Sequence, residues 1–235
     1  MSQVFVDFFA KTHLMTRLLV SVACPAILAR DSWYASPATG PIDKYDADQP
    51  PSMVIIHHSR LPPCSTTESC IVRMLELQRL HQRDRHWFDI GFNFAIGGDG
   101  SVFEGRGWNQ KPAAVKNYNN KSINIAFLGD FSSSVPSAEM LKTARDLIDC
   151  GVRTGKISRD YKLVGYSEQD VSSSVSGPST STSSPTSDSS DSSSSPSSFP
   201  SSLFSHLQSW PHWSPMNLTD EAETPTELKL ALLVE

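Results

Sequence analysis

DIGFNFAIGGDGSVFEGRGWN, the sequence of residues 89–109, is the stretch that decides the fold. In it, Phe92, Phe94 and Ile96 alternate with small or polar residues, which is the period of a half-buried β-strand. The Gly-Gly-Asp-Gly run at 97–100 supplies residues that tolerate positive φ, as a tight hairpin requires, and an apolar pair then begins the returning strand. The sequence therefore predicts a hairpin that delivers the closing Gly-Arg-Gly-Trp-Asn run to one rim.

The other regular elements follow from hydrophobic periodicity. Residues 53–57 form a continuous apolar run, which is typical of a strand buried on both faces at the centre of a sheet. Further strands are predicted at 123–127 and 161–164, and amphipathic helices at 67–86 and 137–154. Strands and helices thus alternate along most of the chain.

Composition limits the possible classes of protein. A chain of 235 residues suits one domain with appended segments, and a net charge of −5 gives no reason to expect a nucleic-acid partner. The four cysteines, Cys24, Cys64, Cys70 and Cys150, allow three pairings, and free buried thiols are the alternative. Paired cysteines would indicate a secreted or luminal protein.

The N-terminal residues 1–23 read as an imperfect signal sequence or an N-terminal segment. A mostly apolar run at 18–29 follows Arg17, as in a short signal-peptide core. A membrane-spanning helix needs about 20 apolar residues, and this run has 12, so no membrane span is predicted.

Two other segments stand apart in composition. Residues 172–202 hold 19 serines in 31 positions, a composition that cannot bury enough apolar surface to offset ordering, so a disordered insertion is expected. Residues 203–214 then resume a helical pattern, and residues 215–235 form an acidic tail.

The motifs, in their order, resemble those of the peptidoglycan recognition proteins, whose domain is of the type-2 amidase class and is similar to phage T7 lysozyme. The matching runs are V-I-I-H-H-S at 54–59, the C-x5-C pair, the stretch 89–109, SINIAFLG at 122–129, DCGV at 149–152 and SWPHW at 209–213. The resemblance covers residues 24–214, interrupted once. It implies one α/β domain, 24–171 with a C-terminal helix at 203–214, built on a central, mixed, mostly parallel sheet flanked by helices.

The same resemblance implies how the cysteines pair. It favours Cys64–Cys70, a short loop beside the site, and Cys24–Cys150, which ties the N-terminal segment to a late helix. Together these imply a secreted, extracellular protein.

An active amidase of this family holds Zn²⁺ with two His and one Cys, beside a Tyr, and the metal activates a water molecule. His57 matches the first ligand. The resemblance places Phe92 where the Tyr belongs, Tyr166 at the second His and Ser176 at the Cys. One ligand of three does not make a zinc site, so we expect no zinc, no other cofactor and no hydrolysis.

A member without catalytic activity can still bind peptidoglycan in a groove with an aromatic wall and a few fixed polar groups. Arg106 is expected to pair with a peptide carboxylate. The alternative for Arg106 is a surface ion pair with no role in binding. The alternative for Trp87 and Trp108 is packing in the core or at the rim. The candidate ligand-binding residues are His57, His58, Trp87, Phe92, Arg106, Trp108 and Asn109.

Three functions remain open. The first is a secreted, non-catalytic protein that binds peptidoglycan or muropeptides in innate immunity, with other recognition proteins or a signalling receptor as partners. The second is a zinc-dependent N-acetylmuramoyl-L-alanine amidase. The third is a diverged module that contacts proteins only, which is favoured by the serine tract and by Ala114, where the family usually places a groove His.

Overall fold

A computed structural model describes residues 23–46, 48–166 and 202–215. Its centre is one six-stranded sheet in the order β1-β4-β3-β5-β2-β6. All neighbouring strands are parallel except β3 and β4, which form the antiparallel hairpin. The predicted mixed, mostly parallel sheet is confirmed. The strands are β1 (Ile27–Leu28), β2 (Met53–His58), β3 (Phe94–Ile96), β4 (Val102–Glu104), β5 (Ser122–Phe127) and β6 (Lys162–Gly165).

Helices cover both faces of the sheet. They are α1 (Thr67–Arg79), α2 (Ala138–Arg153) and α3 (Leu203–Leu207), with a short 3-10 turn at Arg30–Trp33. Ser137 caps α2 by accepting a hydrogen bond from the Met140 N–H, which satisfies one of the free donors of the first turn.

The first helix ends earlier than its sequence predicts. The periodic pattern runs to His86, but the α-helical geometry stops at Arg79 and a π-helical turn follows at Leu80–Asp84. His86 itself has a φ of 56°, which no helix accommodates. His81, in this turn, is buried and continues the buried face of α1, three residues after Gln78.

The hairpin is buried more deeply than a half-buried strand would be. Phe92 precedes β3 rather than lying in it, and Asn93 and Ala95 are as buried as Phe94. The prediction of one solvated face is wrong, because α1 and its following turn cover the side that alternation assigned to solvent. Gly98 lets the hairpin turn pack on the chain at Cys64, since a Cβ there would lie 1.9 Å from the Cys64 carbonyl oxygen.

The sheet separates two apolar layers. Alternate residues of β2 and β5, such as Ile56 and Ile125, pack with the inner face of α2. The opposite face of β3 and β4 packs Ala95 and Phe103 against α1. Because side chains alternate across a strand, adjacent residues of the sheet serve opposite sides of the molecule.

Both disulfides implied by the family resemblance are present. Cys24 bonds to Cys150 and Cys64 bonds to Cys70, so the alternative of free thiols is wrong. The first closes most of the domain into one loop, whereas the second closes a short loop at the N-terminus of α1.

Several predictions fall on residues outside the described ranges. They are the signal-like segment at 1–22, most of the serine tract and the acidic tail beyond Pro215. The last serine of the predicted insertion, Ser202, is described, and its side chain accepts a hydrogen bond from the Ser205 N–H as the N-cap of α3. Among the described residues, no helix is long and apolar enough to cross a membrane.

The two disulfides should differ in their contribution to stability. Their cysteines are 126 and 6 residues apart, and closure of a longer loop removes more entropy from the unfolded chain. We expect a Cys24→Ala/Cys150→Ala variant to lose about 5 kcal/mol of unfolding free energy and a Cys64→Ala/Cys70→Ala variant about 2 kcal/mol. Urea unfolding measures both, and an equal or reversed loss would contradict loop closure as the main contribution.

Candidate functional site

His57 lies at the carboxyl end of β2, on the α1 side of the sheet, and it is almost fully buried. Its ring centroid is 4.8 Å from that of Phe92 and 5.3 Å from that of Tyr166. The structure therefore brings together three of the four positions at which the family resemblance places metal chemistry. The fourth, Ser176, lies outside the described residues.

A chain of hydrogen bonds fixes the tautomer of His57. The Ser122 hydroxyl donates to the Tyr118 carbonyl (2.7 Å), so its oxygen accepts from Asn124 Nδ2 (2.8 Å). This orients the Asn124 Oδ1 toward His57 Nε2, at 2.6 Å, and makes that nitrogen the donor. The Nδ1 atom is left without a proton, and its lone pair is available to accept a hydrogen bond or coordinate a ligand.

Burial keeps this imidazole neutral. Desolvation lowers the pKa of His57 to about 4, and the hydrogen bond to Asn124 only partly opposes it. At neutral pH, His57 is an uncharged ring with one fixed N–H.

Two adjoining pockets share Trp87 and form one cleft. The inner pocket, about 50 Å³, contains His57, Phe92, Tyr166 and Ala114. The outer pocket is much larger, about 450 Å³, and is open to solvent. Its lining combines aromatic, basic and amide side chains, chiefly Trp87, Phe88, Arg106, Lys111, Asn119 and Asn120.

The π-helical turn after α1 positions Trp87. The backbone N–H of Trp87 donates to the His81 carbonyl at 2.9 Å, and the centroids of the two rings lie 4.7 Å apart. On its other side the indole covers Gly91, where a Cβ would lie 2.5 Å from the ring. His81 Nδ1 accepts from the Gly91 N–H at 3.0 Å, and burial lowers the pKa of His81 to about 3. A neutral buried ring thus holds the indole against the cleft.

Arg106 enters the outer pocket from the end of the hairpin. Its Nε donates to the Ile90 carbonyl at 2.7 Å and its Nη1 to the Lys111 carbonyl at 2.8 Å. Within the described residues no hydrogen bond involves Nη2, so part of the guanidinium fork remains available to a ligand. Burial lowers the pKa of Arg106, although Asp89 and Asp43 nearby oppose this effect, and a desolvated cation favours an anionic partner.

His58 faces away from the inner cleft. Its Nδ1 accepts from the Phe131 N–H at 3.0 Å and its ring meets Phe204 edge-on, so it belongs mainly to the α2 side. The Asp130 carboxylate lies 3.4 Å from the same Nδ1, but a nitrogen that accepts a hydrogen bond carries no proton for an ion pair. Burial lowers the pKa of His58, which agrees with a neutral ring. His58 nevertheless remains among the residues that line the inner pocket.

Trp108 and Asn109 are not brought to the cleft. The Trp108 ring packs on Phe94, with centroids 4.4 Å apart, and reaches Gly151 of α2 on the other side of the sheet. Asn109 Oδ1 accepts from Lys156 Nζ at 2.9 Å, beyond the C-terminus of α2. The prediction that the whole Gly-Arg-Gly-Trp-Asn run reaches one rim is therefore wrong. Residues 105–109 lie beyond the end of β4 in bends and turns, and Gly107 has a φ of 67°, so strand alternation does not hold between Arg106 and Trp108.

The described residues do not fit a zinc site around His57. Structural and catalytic zinc sites use at least three protein ligands, and neither Phe92 nor Tyr166 supplies imidazole, thiolate or carboxylate. In residues 23–46, 48–166 and 202–215, no three His, Cys, Asp or Glu side chains lie close enough to hold a metal ion.

Sequence reasoning missed Asn124 and His81, the residues that orient the cleft. Each had a signal. Asn124 is a polar residue in the middle of a buried strand, and such a residue must find hydrogen-bond partners. His81 lies three residues after Gln78, on the buried face that the periodicity of α1 continues.

Comparison with known proteins assigns the chain to a family. Residues 47–187 match the family model described as N-acetylmuramoyl-L-alanine amidase. Peptidoglycan-recognition protein 1 of Holotrichia diomphalia is 39% identical over 142 residues, which are 60% of this chain and 71% of that protein. The chain belongs to the peptidoglycan-recognition protein family.

Solved structures of the family share the fold. Wild-type Drosophila PGRP-LB superimposes with a TM-score of 0.65 and 33% identity, over 83% of this chain and 99% of that one. A chain from the complex of tracheal cytotoxin with the ectodomains of PGRP-LCa and PGRP-LCx gives a TM-score of 0.63 and 31% identity, over 80% and 98%. The central sheet and flanking helices of this chain are therefore those of peptidoglycan-recognition proteins.

An Asn124→Asp substitution tests the hydrogen-bond chain. A carboxylate at this position accepts from His57 Nε2 and stabilises the imidazolium, so the pKa of His57 should rise from about 4 toward or above its ordinary value of about 6.5. Long-range ¹H–¹⁵N NMR across a pH titration gives both the pKa and the tautomer.

Asn109→Asp, on the other side of the sheet, is the matched control and should leave His57 unchanged. If His57 in the unsubstituted chain carries its proton on Nδ1, or titrates near 6.5, the hydrogen-bond chain is wrong.

Proposed function

We propose that this chain binds peptidoglycan fragments as a recognition protein and does not cleave them. The observation that carries the proposal is the cleft of about 450 Å³, where the indole of Trp87 and the exposed ring of Phe88 face the partly available guanidinium of Arg106. An aromatic wall with a few fixed polar groups is the usual composition of a site for a small amphipathic ligand.

Each half of the cleft suits one half of a muropeptide. Sugar rings and peptide methyl groups have apolar faces that pack on Trp87 and Phe88. Arg106 and Lys111 supply positive charge for stem-peptide carboxylates, and Asn119 adds an amide that both donates and accepts. Support also comes from the similar structure that contains tracheal cytotoxin bound to PGRP-LCa and PGRP-LCx.

The absence of hydrolysis is part of the proposal. Hydrolysis by zinc requires an open coordination position beside at least two more protein ligands. Phe92 and Tyr166 occupy the space around His57 with aromatic rings, and the inner pocket is only about 50 Å³. We infer that His57 acts there as a neutral hydrogen-bonding group and that neither zinc nor another cofactor is required.

The loop after the hairpin sets what the inner pocket accepts. Ala114 contributes only a methyl group beside His57, and Pro112 is buried in the outer lining. A rigid, small-residue loop of this kind leaves recognition to Arg106 and the aromatic wall.

We propose an extracellular role in innate immunity. Two disulfides favour an oxidising compartment, where such bonds persist. The complex of two recognition-protein ectodomains around one ligand suggests the kind of partner, namely a second recognition protein or a signalling receptor.

Arg106→Gln should weaken binding to insoluble peptidoglycan about tenfold or more, because a charge-assisted hydrogen bond contributes about 1.5–3 kcal/mol. Co-sedimentation at a series of protein concentrations measures the affinity. Since Arg106 also holds two loop carbonyls, Phe88→Ala serves as a second variant that removes an exposed ring and leaves those bonds intact. Lys142→Gln, on the exposed face of α2, is the matched control and should bind normally.

Unchanged binding by both Arg106→Gln and Phe88→Ala would contradict the proposed cleft. If the unsubstituted chain does not bind peptidoglycan at all, a diverged protein-contact module becomes the better description.

The same incubation tests for hydrolysis. We expect no stem peptide in the supernatant and no stoichiometric zinc in the purified protein by elemental analysis. Release of peptide that stops on treatment with a chelator would establish the amidase alternative and place ligands outside the described residues.

A further inference from the structure

A separate pocket lies on the α2 side of the sheet, away from the His57 cleft. It has a volume of about 220 Å³ and lies between α2, the turn before β6 and the segment after α3. The residues that give it chemical character are Arg145, Asp149, Arg159, Tyr161, Trp210 and His212.

The charges of this pocket are not neutralised within the described residues. Arg145 and Arg159 form no hydrogen bond or ion pair with another described side chain, although the Arg145 guanidinium lies 4.9 Å from the centre of the Trp210 ring. Asp149 likewise has no described ion-pair partner, so two guanidinium groups face one carboxylate. The pocket therefore presents an excess of positive charge in a concave site.

Aromatic groups form the other walls. The rings of Tyr161 and His212 stack with centroids 4.3 Å apart and planes 19° from parallel. Trp210 is 7% exposed, and its indole Nε1–H is buried without a hydrogen-bond partner in the described part of the chain. An unpartnered buried donor costs about 1–3 kcal/mol, and an acceptor that reaches it would recover this energy.

The geometry points to a binding site for a small carboxylate with an apolar or aromatic body. The carboxylate pairs with Arg145 and Arg159, and the body packs between the Tyr161–His212 stack and the aliphatic side of α2. Asp149 weakens the field of the arginines and so limits the affinity. The volume is below the 300–1,000 Å³ typical of drug-sized ligands, which restricts the ligand to roughly the size of one ring.

The carboxylate has two possible sources. One is a free molecule. The other is the chain itself, since the acidic run Asp-Glu-Ala-Glu at 220–223 begins five residues after Pro215. A tethered group has a high effective concentration, so a chain carboxylate competes strongly with a free one.

Benzoate is the probe, because it is a one-ring carboxylate, and benzamide is its uncharged counterpart. The chain has five tryptophans, so five indole N–H signals report on a titration followed by ¹H–¹⁵N NMR. Trp210→Phe identifies the Trp210 signal. We expect benzoate to shift it while the Trp33 signal stays fixed, and benzamide to shift neither.

Three substitutions test the charges of the pocket, and they are expected to change the affinity for benzoate in opposite directions. Arg145→Gln and Arg159→Gln should each weaken benzoate binding about fivefold, the limit for a partly exposed ion pair. Asp149→Asn should strengthen it by removing repulsion. Arg79→Gln, at the exposed end of α1, is the matched control and should change nothing.

The chain-carboxylate source is tested in the full chain with Asp220→Asn/Glu221→Gln/Glu223→Gln. If benzoate shifts the Trp210 signal only in this variant, or binds this variant with higher affinity than the unsubstituted chain, the site takes a carboxylate and the tail supplies it. Equal affinity in both chains supports a free ligand. The inference is overturned if neither chain responds, if benzamide acts like benzoate, or if the arginine variants bind benzoate normally.

Discussion

The buried side chain of Asn93 ties the sheet to the rim of the cleft. Its Nδ2 donates to the carbonyls of Gly107 and Gln110, at 2.9 and 2.8 Å, and its Oδ1 accepts from the Asn124 N–H at 2.8 Å. One amide, with no solvent-exposed surface, therefore joins the hairpin, its following loop and β5. Because a buried amide must satisfy its donors and acceptor, these three segments hold one relative arrangement. The position of Arg106 depends on that arrangement, as does the Asn124 that orients His57.

The fold could be predicted from the sequence because its elements are strongly patterned. The apolar run of β2 and the amphipathic pattern of α2 specify their own structures, and the Gly-Gly-Asp-Gly run marks the hairpin turn, where Gly100 has a φ of 80°. The end of α1 could not be predicted in the same way. Periodicity continues through the π-helical turn, and only tertiary packing of His81 beneath Trp87 shows that the helix has changed geometry there.

Two of the seven predicted groove residues, Trp108 and Asn109, lie outside the cleft because of a turn that the sequence does not reveal. The family motif names Arg106, Trp108 and Asn109 together, but the hairpin sends Arg106 to the cleft and Trp108 to the core on α2. A motif records which residues occur together, but its residues can serve different purposes, such as packing and binding. Trp108 stabilises the packing of the hairpin on α2, whereas Arg106 supplies a charge to the cleft. The turn that follows β4, with Gly107 at a φ of 67°, separates these two side chains, which strand alternation would have placed on the same face.

The environment of His57 fixes both the charge and the orientation of its ring. A histidine that holds a metal needs a neutral ring with one nitrogen fixed by a hydrogen bond and the other free. His57 keeps that arrangement through Asn124, and its low pKa keeps the ring neutral. Its aromatic neighbours are Phe92 and Tyr166, whose ring centroids lie 4.8 and 5.3 Å from that of His57. The same orientation that suits a metal ligand also suits a hydrogen-bond acceptor for an amide N–H.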